Sequence, residues 1–142
     1  MRCEEIMKRD VECIDPTQPV QEAARRMRDA NVGFLPVCDS NRKVLGAITD
    51  RDIAIRIVAE GRPPTTAAAD VMTPQVVACR PDDDVTQAEQ LMGKRQKSRM
   101  IVTDENGRLV GVISLSDIAQ VEEASRASET MKQVTQREAR PH

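Results

Sequence analysis

The strongest constraint on this chain is that it repeats itself. A shift of 65 positions lays residues 7–54 over residues 72–119 without a gap, and fourteen of the 48 pairs are identical, against about three expected by chance. Pro16/Pro81, Val20/Val85, Met27/Met92, Val37/Val102, Asp39/Asp104, Gly46/Gly111, Ile48/Ile113, Asp52/Asp117 and Ile53/Ile118 are among them. A unit of about 50 residues buries too little surface to be stable alone, so the two copies are expected to pack on each other.

Each copy has the same local grammar. Residues 11–14 predict a strand that stops at Asp15-Pro16, and Pro19 opens a helix whose Val20, Ala23, Ala24, Met27 and Ala30 share one face. Residues 34–38 and 44–48 predict an antiparallel pair across Asp39-Ser40-Asn41-Arg42, and residues 50–59 a second helix that halts at Gly61. In the second copy the strands fall at 76–79, 100–103 and 109–114, with Asn106-Gly107 as the hairpin signal, and the helices at 84–95 and 115–127. The order β-α-β-β-α makes strands one and two parallel through a right-handed crossover and strands two and three antiparallel. This is an α/β (α+β) chain with repeats at 3–61 and 67–121, a linker at 62–66 and a polar extension at 122–142. Residues 2–7 and 67–72 are expected to lead into the first and second copies respectively.

Composition removes several function classes. Twenty-one basic against 23 acidic residues give a net charge of −2, which argues against a surface built for a nucleic-acid backbone. A single Phe with no Tyr or Trp leaves no aromatic platform for stacking bases. The one histidine, His142, is terminal, which removes most His-based triads and zinc sites. No apolar run reaches the roughly 18 residues of a membrane span, and the first residues lack the apolar stretch of a secretion signal. A cytoplasmic protein is expected, without membrane contact.

The chemistry concentrates where each third strand feeds a helix: Gly46-Ala47-Ile48-Thr49-Asp50-Arg51-Asp52 and Gly111-Val112-Ile113-Ser114-Leu115-Ser116-Asp117. A hydroxyl followed three residues later by an acid reads as a capping box. The same geometry offers a hydroxyl and exposed amides to a ribose or phosphate. The carboxylate adds two acceptor oxygens suited to a vicinal diol.

Doubled at constant spacing, with a turn opened by Asp39 or Asp104 and a closing Thr/Ser-x-x-Asp, these repeats resemble a tandem CBS-domain pair, the Bateman module, over about residues 3–121. The resemblance implies two repeats packed by pseudo-twofold symmetry. It further implies clefts between them that bind AMP, ADP, ATP or S-adenosylmethionine as a regulatory ligand, with no cofactor required and no catalytic step. Thr49 and Asp52 would serve one cleft, and Ser114 and Asp117 the other. By the same resemblance Ile14, Pro36, Cys79 and Ile101 are ligand walls, with plain core packing as the alternative. Arg99 would meet phosphate, or lie solvated. Its counterpart in copy one is Phe34, so the clefts are unequal. A flat, disc-like homodimer and a separate regulated protein are the implied partners. The competing reading is a ligand-free interaction module in which the hydroxyl–acid pairs are only caps.

Cys3, Cys13, Cys38 and Cys79 show no C-x-x-C spacing. Parallel pairing of the first two strands would bring Cys13 and Cys38 within bridging range; free buried thiols are the expectation in a reducing compartment, with a reversible Cys13–Cys38 disulfide as the alternative. In the tail, Val121, Ala124, Ala127, Met131 and Val134 keep helical spacing. They are expected to extend the last helix toward a partner subunit or to fray.

Overall fold

Helices form where the repeat places small and apolar residues at helical spacing between residues that cap. Val20–Ala30 (α1) follows Pro19 and buries Val20, Ala23 and Met27. Its equivalent, Val85–Arg95 (α3), is capped by Asp84, whose carboxylate accepts from the Thr86 amide at 2.8 Å. Both end on a left-handed residue, Asn31 (φ 56°) and its counterpart Gln96 (φ 56°). An Asp84→Ala variant is expected to lose about 1 kcal/mol of stability, read as a lower urea midpoint with unchanged slope. An unchanged midpoint would show that the cap contributes nothing.

The computed structural model of the chain describes residues 1–121 and 124–138. Two compact units emerge, and neither is a contiguous stretch. One holds residues 1–11, 77–106 and 110–142, the other residues 12–76 and 107–109. In the latter, Phe34–Cys38 (β1) and Val44–Thr49 (β2) are antiparallel, with Phe34 opposite Thr49 and Pro36 opposite Ala47. Asp50–Ile53 (α2) continues into a π-helical turn, Ala54–Val58, that carries buried Ile57. In the other unit Ala78–Cys79 (β3) lies parallel to Arg99–Thr103 (β4), which is followed by Leu109–Ser114 (β5) and Leu115–Val121 (α4). The strands before the first helices are shorter than predicted. Copy two keeps two residues, and copy one keeps a single parallel bridge, Ile14 to Val37. The proline two positions after Ile14 and after Cys79, with no amide to donate, stops the ladder.

The lead-in segments exchange places. Cys3 and Met7 are part of the core formed by Val85, Met92, Met100, Val102, Ile113 and Ile118, which belong to the second repeat. Ala68 and Met72 join the core of Ile14, Ala23, Leu35, Val37 and Ile48, which belong to the first. Each lead-in also pairs with the outer edge of a third strand, Lys8 with Val112 and Thr73 with Ala47. This reverses the expectation that each would enter its own repeat. The repeated glycines make room for a lead-in at either sheet. A Cβ on Gly46 would sit 2.6 Å from the Thr73 carbonyl oxygen, and one on Gly111 2.9 Å from that of Lys8. The bare strand edge at each glycine admits the lead-in backbone and satisfies its amides.

Ala124–Glu138 (α5) packs on α3 of its own unit. Val134 enters the core, while Val121 and Met131 stay exposed. Gly93 faces this helix, with the Gln133 side-chain amide lying over it. The side chains of Ala124 and Ala127, and His142, lie outside the described residues. No described helix is long and apolar enough to cross a membrane.

Candidate functional site

Both predicted caps form, and they form alike. The Asp52 amide donates to Thr49 Oγ1 at 3.1 Å, and the Thr49 amide donates to Asp52 Oδ2 at 2.9 Å. In the other unit the Asp117 amide donates to Ser114 Oγ at 3.1 Å, and the Ser114 amide to Asp117 Oδ2 at 2.9 Å. One carboxylate oxygen is thus committed to the backbone in each case. The second, Oδ1, faces a cation: Arg56 at 3.9 Å from Asp52, and Lys8 at 4.0 Å from Asp117. The aspartates keep 17% and 13% of their side-chain surface exposed. Each is therefore oriented by its cap, with Oδ1 turned from the capped backbone toward the cation. The cations flank without clamping, because separations near 4 Å at a wet surface hold little energy.

The remaining predicted residues fall in the same two units. Ile14 donates its amide to the Pro36 carbonyl at 3.0 Å, and Ile101 donates to that of Val77 at 3.2 Å. Ile14, Pro36 and Ile101 are buried, the packing that the alternative reading requires, and Cys79 retains a sliver of surface. Half-buried Arg99 donates to the Ser98 carbonyl at 3.1 Å. Ser98 in turn accepts from the amide of Leu115, the residue after Ser114, at 3.0 Å. The matching bond in the other unit joins the Asp50 amide to the Gly33 carbonyl at 3.0 Å.

These equivalences make the sites electrically unlike. The Ser114/Asp117 site has Lys8, Arg99 and Leu115 where the Thr49/Asp52 site has Thr73, Phe34 and Asp50. Lys8 is the residue that sequence reasoning missed. Its signal was the Lys8/Thr73 mismatch in the repeat, but linking it to Asp117 requires the exchanged lead-in.

All four cysteines are free thiols. The Cys38 thiol is pushed up to about 12, first by burial and then by Cys13 beside it, so it stays protonated at neutral pH. Cys13 also lies 3.9 Å from an Arg42 guanidinium nitrogen. Cys13 and Cys38 are thus neighbours, as parallel pairing of the first two strands implies. A second pair was not foreseen: Cys79 Sγ donates to Cys3 Sγ at 3.7 Å in the other unit. Among the described residues no group of three or more His, Cys, Asp or Glu is placed to hold a metal. The groove of about 570 Å³ between α3 and α5 is lined by Gln90, Lys94 and Gln133 among others and includes none of the predicted site residues.

Comparison with known proteins gives this geometry a context. The family model described as CBS domain matches residues 3–59 and again residues 68–123. The CBS domain-containing protein YhcV of Bacillus subtilis is 38% identical over 115 residues, covering 81% of this chain and 81% of that protein. Protein MK0525 of Methanopyrus kandleri is 34% identical over 119 residues, 83% of this chain, which spans 61% of that relative's length. Among solved structures, the CBS domain pair of protein MJ0100, in complex with 5'-methylthioadenosine and S-adenosyl-L-methionine, superposes with a TM-score of 0.77 at 26% identity. That match covers 85% of this chain and 94% of the other.

Proposed function

The chain belongs to the CBS-domain family, as two tandem repeats, and on that premise we propose that it is a non-catalytic regulatory module binding an adenosyl ligand at Thr49/Asp52 and Ser114/Asp117. AMP, ADP, ATP and S-adenosylmethionine are the candidate ligands. The observation that carries the reading is the doubled capping box, in which the cap uses Oδ2 and a loosely flanked Oδ1 is the acceptor offered to a ribose hydroxyl. The adenosyl ligands of the MJ0100 pair support the same class. Ile14, Pro36, Cys79 and Ile101 supply the apolar walls. Lys8 and Arg99 draw phosphate-bearing ligands to the Ser114/Asp117 site in preference to its twin. The module acts in the cytoplasm as a disc-like homodimer, and exposed Ile55 and Val58 are the surface a second copy covers. Ligand binding changes its association with a regulated protein by favouring one conformation.

Thermal melts with saturating AMP, ATP and S-adenosylmethionine test this. At about a hundred times the Kd, a ligand selective for the folded chain adds about 2.7 kcal/mol, a rise of several degrees in Tm. Asp117→Ala is expected to abolish most of the ATP-dependent rise while costing the unliganded protein only about 1 kcal/mol. Melting temperatures that ignore all three ligands would favour the other reading, an interaction module with a Cys13–Cys38 staple, which the closeness of those thiols supports.

A further inference from the structure

The repeat relates Cys3 to Ala68 and Cys79 to Ile14. Ala68 and Ile14 sit together in one core, and Cys3 and Cys79 together in the other. The exchanged lead-ins thus bring the same two backbone positions together twice, and in one unit both carry sulfur. The Sγ atoms are 3.7 Å apart across 76 residues of sequence. Cys3 is anchored by its amide on the Asp83 carbonyl at 2.8 Å, and Glu4 by its amide on that of Pro81 at 2.9 Å. Cys79 is held in the β3–β4 ladder opposite Val102.

We propose that Cys3 and Cys79 are a redox dithiol whose reversible disulfide staples the amino-terminal lead-in to the sheet of its unit. Closure needs the sulfurs to move from contact to a bond of about 2.05 Å, within reach of side-chain rotation. The hydrogen bond from Cys79 lowers the Cys3 thiol, while that bond and burial raise Cys79. With hydrogen peroxide as oxidant, one of the two sulfurs, as thiolate, attacks one oxygen and becomes a sulfenic acid as water leaves. The other then attacks that sulfur and expels a second water. Two thiols and one peroxide thus yield one disulfide and two waters, with two electrons passing from sulfur to oxygen. The balance is the same whichever sulfur is oxidised first. Cys3 is 0% and Cys79 8% exposed, so oxidation is slower than for a free thiol and requires an oxidant this small. The same staple holds Lys8, five residues beyond Cys3, against Val112 and Asp117. The proposal does not depend on nucleotide binding.

The test treats the native full-length chain with hydrogen peroxide, blocks remaining thiols in denaturant and maps the peptides without reduction. The expected product is a Cys3–Cys79 linked peptide that dithiothreitol abolishes. Its formation should raise Tm by at least about 5 °C, because the closed loop is long. A Cys13→Ala/Cys38→Ala variant should retain both effects. A Cys3→Ala/Cys79→Ile variant, which copies the residues of the other unit, should fold and lose both. Cys3 and Cys79 recovered as alkylated thiols from folded, oxidised protein would overturn the proposal, as would linkage confined to Cys13 and Cys38.

Discussion

Replacing Gly111 with alanine is expected to destabilise the protein by about 2 kcal/mol, a fall of about 6 °C in Tm. The added Cβ would lie 2.7 Å from Met7 Sδ and 2.9 Å from the Lys8 carbonyl oxygen. A thioether can swing aside; a carbonyl held in a β-bridge cannot. The lead-in must therefore retreat, breaking the bonds between the Lys8 and Val112 backbones at 2.9 and 3.0 Å. Hydrogen exchange at the Lys8 amide should accelerate in the variant, and adding Met7→Ala should not restore it. A Gly111→Ala protein with native Tm and a protected Lys8 amide would show that the glycine is not there for close approach.

Ile113→Ala is expected to be more damaging, by about 3 kcal/mol and about 9 °C in Tm. Ile113 is 0% exposed and packs in the same core as Cys3, Met92, Met100 and Val134. Contributions to that core come from the lead-in, from α3, from β4 and from the tail helix, so no single element can move in to fill the void. Val58→Ala is the surface control, since Val58 is 73% exposed, and should change Tm by less than about 2 °C in the unpaired chain. Equal losses in the two variants would mean that the β5 core is far more plastic than its packing implies.

Much of this architecture could be read before any coordinates. Helix positions followed from apolar spacing, and the hairpin strands at 34–38 and 109–114 have the bounds that the turn residues indicated. The capping pairs Thr49/Asp52 and Ser114/Asp117 were legible because a cap is local: donor and acceptor lie three residues apart and need no distant neighbour. Lys8 near Asp117 and Cys3 against Cys79 were not legible, because each joins residues more than 70 positions apart.

By itself the sequence determined the duplication, the order of elements within each copy and the hydroxyl–acid cap that follows each third strand, all of which depend on local spacing or on comparing one copy with the other. The tertiary structure decided which lead-in serves which sheet, and with it which aspartate gains a lysine and which core gains a thiol pair. The reason is that a strand edge accepts any backbone with free amides. Because Gly46 matches Gly111 and Met7 matches Met72, either lead-in suits either edge by local pattern, and only the assembled cores fix the pairing.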